Sequence, residues 1–215
     1  SCTATATDSD GESITSSASI TVENTAPTFT TDASISPTTN IVTGTELACS
    51  ATATDIDQGS IVPTYTWTVA SNTVGNNATY TIAASDTDVG DDIVCTATAT
   101  DAEGDSTTST ATTTVSNSTP SFTSDASITP SSSVVTGTEL TCSASATDLD
   151  EGNITPTYEW AVGSTTIGTG STYTVSASDT DVGDSIVCSA TATDAEGETA
   201  LSTASVTVEN TDPTF

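Results

Sequence analysis

Apolar and hydroxyl-bearing residues alternate along most of this chain. Leu47, Cys49, Ala51 and Ala53 take every second position, with Ser and Thr between them. Tyr65, Trp67 and Val69 do the same, as do Tyr80, Ile82 and Ala84, and Ile93, Cys95, Ala97 and Ala99. A later run reads Ala111, Thr113, Val115. A period of two, broken by Gly, Asn, Asp and Pro, is the mark of short half-buried strands in an all-β sandwich. The pattern predicts strands at about 29–36, 41–43, 45–54, 63–71, 79–85, 92–100 and 106–116, with a short one near 73–76. Threonine suits the outer face of such strands through its β-branch. Pro37 and Pro130 are expected to split the first strand of each unit, which fits an edge position. No window shows helical periodicity.

The whole pattern repeats every 93 residues without a gap. Cys2-Thr3-Ala4-Thr5-Ala6-Thr7-Asp8 returns as Cys95–Asp101 and, with one Ser, as Cys188–Asp194. Junctions recur at Asn24-Thr25-Ala26-Pro27-Thr28-Phe29, Asn117-Ser118-Thr119-Pro120-Ser121-Phe122 and Asn210-Thr211-Asp212-Pro213-Thr214-Phe215. A period this long describes an array of domains, each with its own core. The expected division is 25–117 and 118–210 as full repeats, 1–24 as the tail of a preceding one and 211–215 as the start of the next. The chain reads as a window from a longer protein.

Each full repeat carries a Cys, then a Trp within Tyr-x-Trp, then Asp-Val-Gly-Asp before a second Cys. The residues are Cys49, Trp67 and Cys95 in one copy and Cys142, Trp160 and Cys188 in the next. This arrangement resembles the immunoglobulin-like sandwich, and the array is similar to the cadherin-like and PKD-like repeats of large bacterial surface proteins. The resemblance implies tandem immunoglobulin-like Greek-key β-sandwiches with one inter-sheet disulfide per domain, Cys49–Cys95 and Cys142–Cys188. The tryptophan would pack on the bridge. Cys2 would be the second cysteine of the preceding unit. The strands listed above would then be A, A′, B, C, E, F and G, with the short one following C. Disulfides imply an oxidising, extracellular setting. One departure stands out. The tyrosine usual two residues before the second Cys is Ile93 or Ile186 here, so that end of each sandwich must be held in some other way.

Composition sharpens the picture. There are 29 acidic residues and no Lys, Arg or His. Phosphate binding needs basic side chains, so nucleic acid is excluded as a partner. Anionic membrane surfaces are disfavoured, and no run is long enough to span a bilayer. Each carboxylate must be solvated, bonded to N–H or O–H groups, or neutralised by a metal ion. Apolar residues make up 33% of the chain and aromatics 4%. The core is therefore thin, and the disulfide is expected to compensate for it.

No catalytic constellation is present, because no side-chain base stands ready to activate a nucleophile. The expectation is a non-enzyme. The carboxylates cluster in three loops. Asp55 and Asp57 follow strand B, Asp86, Asp88 and Asp91 lie between E and F, and Asp101 and Glu103 lie between F and G. The second copy repeats them, with Asp148, Asp150, Asp194 and Glu196 at the B–C and F–G end. In immunoglobulin topology the E–F loop lies opposite the B–C and F–G loops. In a head-to-tail array, Asp86, Asp88 and Asp91 would then approach Asp148, Asp150, Asp194 and Glu196.

Two readings stay open. These residues are turn formers capping backbone amides, or they hold Ca²⁺, which prefers hard oxygen ligands. A Ca²⁺ site would lie either at the junction or within a domain, on Asp55, Asp57, Asp101 and Glu103. The glycosylation patterns at Asn77, Asn117 and Asn153 do not recur between copies and read as chance in a Thr-rich chain. The expected function is a structural extracellular stalk or filament segment, with an adhesin that binds a glycan or a cell-surface protein as the alternative. The expected partners are neighbouring repeats or other copies of the chain.

Overall fold

The fold is that of a computed structural model, which describes residues 1–211. Most of the third junction sequence and of the expected start of a further repeat (211–215) therefore lies outside the described residues.

The chain opens with a two-stranded hairpin, β1 (Cys2–Thr7) and β2 (Ser13–Ala18). A first sandwich follows: β3 (Thr28–Ser36), β4 (Glu46–Asp55), β5 (Gly59–Ile61), β6 (Thr64–Val69), β7 (Asn72–Gly75), β8 (Thr79–Thr81), β9 (Asp92–Thr100) and β10 (Ser106–Thr114). A second repeats it: β11 (Ser121–Thr129), β12 (Glu139–Asp148), β13 (Gly152–Ile154), β14 (Thr157–Val162), β15 (Thr165–Thr169), β16 (Thr172–Thr174), β17 (Ser185–Thr193) and β18 (Thr199–Thr207). All pairing is antiparallel. In the first sandwich β4 pairs with β3, β5 and β8, while the facing sheet runs β10-β9-β6-β7. The second sandwich has the same two sheets. These are tandem immunoglobulin-like β-sandwiches.

The two sheets of each sandwich are joined by sulfur. Cys49 on β4 bridges to Cys95 on β9, and Cys142 on β12 to Cys188 on β17. Trp67 and Trp160 are fully buried beside these bridges. Each indole N–H has one acceptor, the carbonyl of Asn77 or of Gly170, at 2.9 Å. A tyrosine ring tilts against each indole, Tyr80 with its centroid at 5.9 Å and Tyr173 at 5.8 Å. The strand beside the tryptophan must come close. A Cβ on Gly75 would lie 3.4 Å from the Trp67 ring, and one on Gly168 3.1 Å from the Tyr173 ring. Around this centre lie Leu47, Ile82 and Ile93, or Leu140, Val175 and Ile186. Beyond it the inward positions are mostly Ala, such as Ala97 and Ala99.

The end lacking the usual tyrosine is tied from the other side. Tyr80 Oη donates to Asp86 Oδ2 across the turn after β8, and Tyr173 does the same to Asp179. Burial first, and then the neighbouring carboxylate, push both phenols above their ordinary range. They stay protonated and remain donors at neutral pH.

Several expected boundaries are corrected. No strand forms at 41–43; Ile41 is buried there and its carbonyl accepts a single bond from Ser116 N. The strand expected at 63–71 forms as β6 in the facing sheet, and the short β5 before it, which pairs with β4, was not expected. Pro63, which has no amide proton to donate, stands at the change of sheet. The strand expected at 79–85 ends at Thr81. The first strand of each sandwich ends at Ser36 or Thr129, so the prolines follow it and do not split it.

The bridge closes a loop of 46 residues in each sandwich. Such a closure stabilises by roughly 4 kcal/mol in the chain-entropy model, a large share of a typical total of about 5–15 kcal/mol. Replacing Cys49 and Cys95 together by Ser is expected to lower the first sandwich's unfolding free energy by about that amount in urea titration. Reductant should melt both sandwiches at lower temperature. Unchanged melting on reduction would contradict this account.

Candidate functional site at the joint between sandwiches

The carboxylates in the loops are first of all acceptors for their own turns. Asp55 ends β4, and its Oδ1 accepts from Asp57 N at 2.7 Å and Gln58 N at 2.9 Å. Asp148 does the same for Asp150 N at 2.7 Å. Between β9 and β10, Asp101 Oδ1 accepts from Gly104 N and Asp105 N. Asp194 Oδ1 accepts from Glu198 N. Between β8 and β9, Asp91 Oδ2 accepts from Asp88 N. Asp8 forms the same turn in the β1–β2 hairpin, accepting from Asp10 N and Glu12 N. A short acceptor that bonds the backbone a few residues on folds a turn tightly.

Other carboxylate oxygens hold the segment that leads into each sandwich. Asn24 Nδ2 donates to Asp101 Oδ2, and Asn117 Nδ2 to Asp194 Oδ2. Asp57 Oδ2 accepts from both Thr25 N and Thr25 Oγ1. Asp150 Oδ2 accepts from Ser118 N and Ser118 Oγ in the same way. The side chain of Asn117, an acceptor of glycans by pattern, is thus engaged within the protein.

Among the described residues one bond crosses from sandwich to sandwich. Thr43 Oγ1, in the turn before β4, donates to Asp150 Oδ1 at 2.6 Å. Asp150 is the hub of the joint, with one oxygen on the preceding sandwich and the other on the connecting segment. Burial alone would push its carboxyl up, but the donors Thr43 and Ser118 outweigh that and hold it below its ordinary value of 3.8. Beside it is a cleft of about 310 Å³, lined by Thr87, Asp88 and Val89 of one sandwich and Asp150, Glu151 and Glu196 of the next.

Of the carboxylates expected at the junction, Asp88, Asp150 and Glu196 therefore share one cleft. Asp86 is turned back toward Tyr80 and Ser85. Asp91 caps its own turn, Asp148 is buried under Ser118, and Asp194 lies in its turn beneath Asn117. Within the first sandwich, Asp55, Asp57, Asp101 and Glu103 each accept from a different donor, Glu103 from Gln58 Nε2. Asp55 Oδ2 is buried with no partner. Among the described residues no three acidic or cysteine side chains converge in a way that could hold a metal ion. Sequence reasoning missed Thr43 and the two asparagines as site residues, and saw Glu151 only as one of the clustered loop carboxylates. The regular return of Asn before each Pro was the one available signal.

The copies differ at one place that matters. In the first sandwich Gln58 donates to Glu103 through Nε2 and accepts from Ala102 N through Oε1. In the second, Glu151 stands at the Gln58 position, and its Oε1 accepts from Ala195 N. Glu151 can donate to Glu196 only by carrying a proton. Burial first, then the charges of Glu151 and Asp194, raise Glu196 above its ordinary value of 4.5.

No family model matches the chain, and no curated protein matches it. Among solved structures it is similar to the three N-terminal domains of the highly immunogenic outer capsid protein of bacteriophage RB49. The identity there is 19%, with 85% of this chain and 59% of that one covered, at a TM-score of 0.32. A Ca²⁺-stabilised adhesin by which an Antarctic bacterium reaches out and binds ice gives 18% identity, covering 95% of this chain and 55% of that one at a TM-score of 0.31. A 1.5-MDa bacterial ice-binding adhesin, described for its retention at the host cell surface, gives 17% identity, covering 96% of this chain and 72% of that one at a TM-score of 0.34. At these scores the likeness is to all-β chains in general and speaks to no site.

Opposite pH dependences follow from the two kinds of carboxyl. Asp101 is held below 3.8 chiefly by Asn24; Asp194 is lowered by Asn117 and its turn amides despite burial. Together with Asp150 they add stability at neutral pH, and it is lost as pH falls below the ordinary aspartate range. The raised Glu196 works the other way, since its favourable contribution is present when protonated and vanishes as pH rises through its folded value. Glu151→Gln is expected to raise the melting temperature of the second sandwich at neutral pH. It should also remove a stability maximum on the mildly acidic side. Calorimetric melts from pH 3 to 8, a span set by the ordinary carboxyl values, read both effects. An unchanged pH profile in the variant would refute the paired-carboxyl account.

Proposed function

We propose that the chain is a structural segment of an extracellular stalk or filament, built from sandwiches stacked end to end and stiffened at their joints. The observation that carries this is the double engagement of Asp150. One carboxylate ties the turn of the preceding sandwich, through Thr43, to the connecting segment, through Ser118. A flexible string of beads has no use for such a clamp. The disulfides support an oxidising, extracellular setting, and no helix among the described residues is long and apolar enough to cross a membrane. A surface without Lys or Arg offers nothing to trypsin-like proteases, which suits an exposed fibre.

The hairpin β1–β2 fits the same reading as the last two strands of a preceding sandwich. Its register, Cys2 opposite Ala18, matches Cys95 opposite Ala111 and Cys188 opposite Ala204. Val22 stands where Val115 and Val208 are buried, and is itself 87% exposed.

In this reading Ca²⁺ adds to the stiffness. The cleft at the joint gathers Asp88, Asp150, Glu151 and Glu196 with no cationic side chain anywhere to offset them. Hard carboxylate oxygens suit Ca²⁺, and a bound ion would draw Asp88 across toward the next sandwich. The protein is expected to release or take up heat on calorimetric titration with Ca²⁺ and to melt higher with the ion than in EDTA. Asp88→Asn should abolish the response, and small-angle scattering should show a narrower spread of inter-sandwich angles with Ca²⁺. Absence of both heat and melting shift removes the metal. A joint that is equally narrow in EDTA leaves the stalk standing on its hydrogen bonds alone.

A further inference from the structure

The chain enters and leaves each sandwich at opposite ends. In the first, Thr25 is tied to Asp57 and Asn24 to Asp101, beside the turn that joins β9 to β10. At the other end, Val115 N donates to Asp91 O and Ser116 N to Ile41 O. Thr28 stands opposite Thr54 and Ser36 opposite Ala48, while Ser106 stands opposite Thr100 and Thr114 opposite Asp92. β3 and β10 therefore run in the same direction, from entry to exit, and they are neighbours across the edge of the two sheets. Axial tension pulls β3 by its start and β10 by its end, so the two strands are sheared past each other. One side chain staples them. β3 loses register with β4 between Thr31 and Ser34, and there Ala33 N donates to Ser109 Oγ on β10 at 3.0 Å. Ser109 Oγ donates in turn to Asp32 Oδ1 at 3.2 Å. The second sandwich repeats both bonds through Ala126, Ser202 and Asp125, at 2.9 and 3.1 Å.

The disulfide sits inside this frame. Tension that frees β3 reaches Cys49 and passes through sulfur to Cys95 on β9, so the 46-residue loop between them stays out of the load path. The Cys142–Cys188 bridge does the same in the second sandwich. We propose that each sandwich is a strain limiter. The serine staple sets the force at which the terminal strands part, and the bridge sets how far they run. β3 yields first, since two register shifts break its ladder with β4 while that of β10 with β9 is unbroken. Release stops at the bridge with about half of the 93-residue repeat extended. The closed loop still holds Trp67, Tyr80, Ile82 and Ile93 on one short segment, a nucleus onto which the flanks return when tension falls. Two bridged halves thus divide the work: the flanks give, and the loop does not.

Only the source of tension rests on the stalk reading; the load path follows from strand direction and the bridge. The full chain is stretched in optical tweezers, held through the exposed Cys2 thiol and a tag at its other end. At roughly 3.5 Å per extended residue, each bridged sandwich should release about 160 Å of chain, half that of an unbridged one. Cys49→Ser with Cys95→Ser is expected to double the first sandwich's step and leave the second's unchanged. Should that variant fail to fold, the parent's step length still decides. Ser109→Ala should split one population of rupture forces into two, the weaker from the first sandwich, with step lengths unchanged. Tyr80→Phe removes a bond within the bridged loop; it should lower stability in urea and leave the rupture force as it was. Full-length steps in the parent overturn the limiter. If Ser109→Ala leaves the force unchanged, or weakens it no more than Tyr80→Phe does, the staple is overturned. Free rotation between sandwiches in solution scattering would sink the stalk and leave these steps as they are.

Discussion

Every carboxylate in this protein must find its partner without a cationic side chain. That constraint shapes the loops. With no Lys, Arg or His in the chain, the strong donors available are backbone amides, hydroxyls and a few side-chain amides. Charge-assisted bonds of this kind are about twice as strong as neutral ones. Aspartates accordingly lie where amides converge, at the ends of β4, β9, β12 and β17. At Asp101, Asp148 and Asp194 the second oxygen reaches the segment entering the sandwich. The bond between sandwiches falls to the neighbouring Asp150.

The core answers a related shortage. Most inward positions away from the bridge are Ala or Thr, so little apolar area is removed from water there. Stability concentrates where Cys, Trp, Tyr and a few aliphatic residues meet. Packing is tight enough at this centre that the strand beside the tryptophan carries Gly at its closest approach. The sandwich is thus a small dense middle with hydrogen-bonded ends. The ends are where the chain meets its neighbours, and there polar chemistry outweighs packing.

Much of this was legible in the sequence, for reasons that can be named. β9 runs from Asp92 to Thr100, the span the alternation predicts, because every inward residue from Ile93 to Ala99 is buried. Where alternation reflects burial without a ladder it misleads. Ile41 is in the core, yet it lies in irregular chain before the turn at 43–44 and has no strand of its own. Ile82 continues the inward pattern of β8, but its amide bonds to Thr45 O outside the sheet. β5 was not predicted because its three residues hold a single inward apolar side chain, Ile61, too little alternation to read. At the joint, the acidic residues announced themselves by recurrence and charge. Thr43 did not, since one hydroxyl among so many carries no signal until its distance to Asp150 is seen. Glu151 showed only as one of the clustered loop carboxylates, and its significance lies in its contrast with Gln58 and in its position beside Glu196.

The distribution of differences between the copies fits a chain whose joints matter more than its faces. Apart from Gln58 against Glu151, residues at the joint hold their type: Thr43 and Thr136, Val89 and Val182, Asp57 and Asp150, Thr25 and Ser118, Ile56 and Leu149. On the sheet that includes β6 and β10 the same comparison gives Thr66 against Glu159 and Thr108 against Leu201. A domain that worked through its open faces would be expected to guard those faces and to tolerate drift at its ends. Here the ends are guarded. Because the repeat has no gaps, a further joint built from these residues would set the same rotation and translation as the one between these two sandwiches. An array governed by one such step is regular by construction, as in other repeat architectures where each unit touches only its neighbours. Its stiffness is then a property of a single joint, multiplied along the chain.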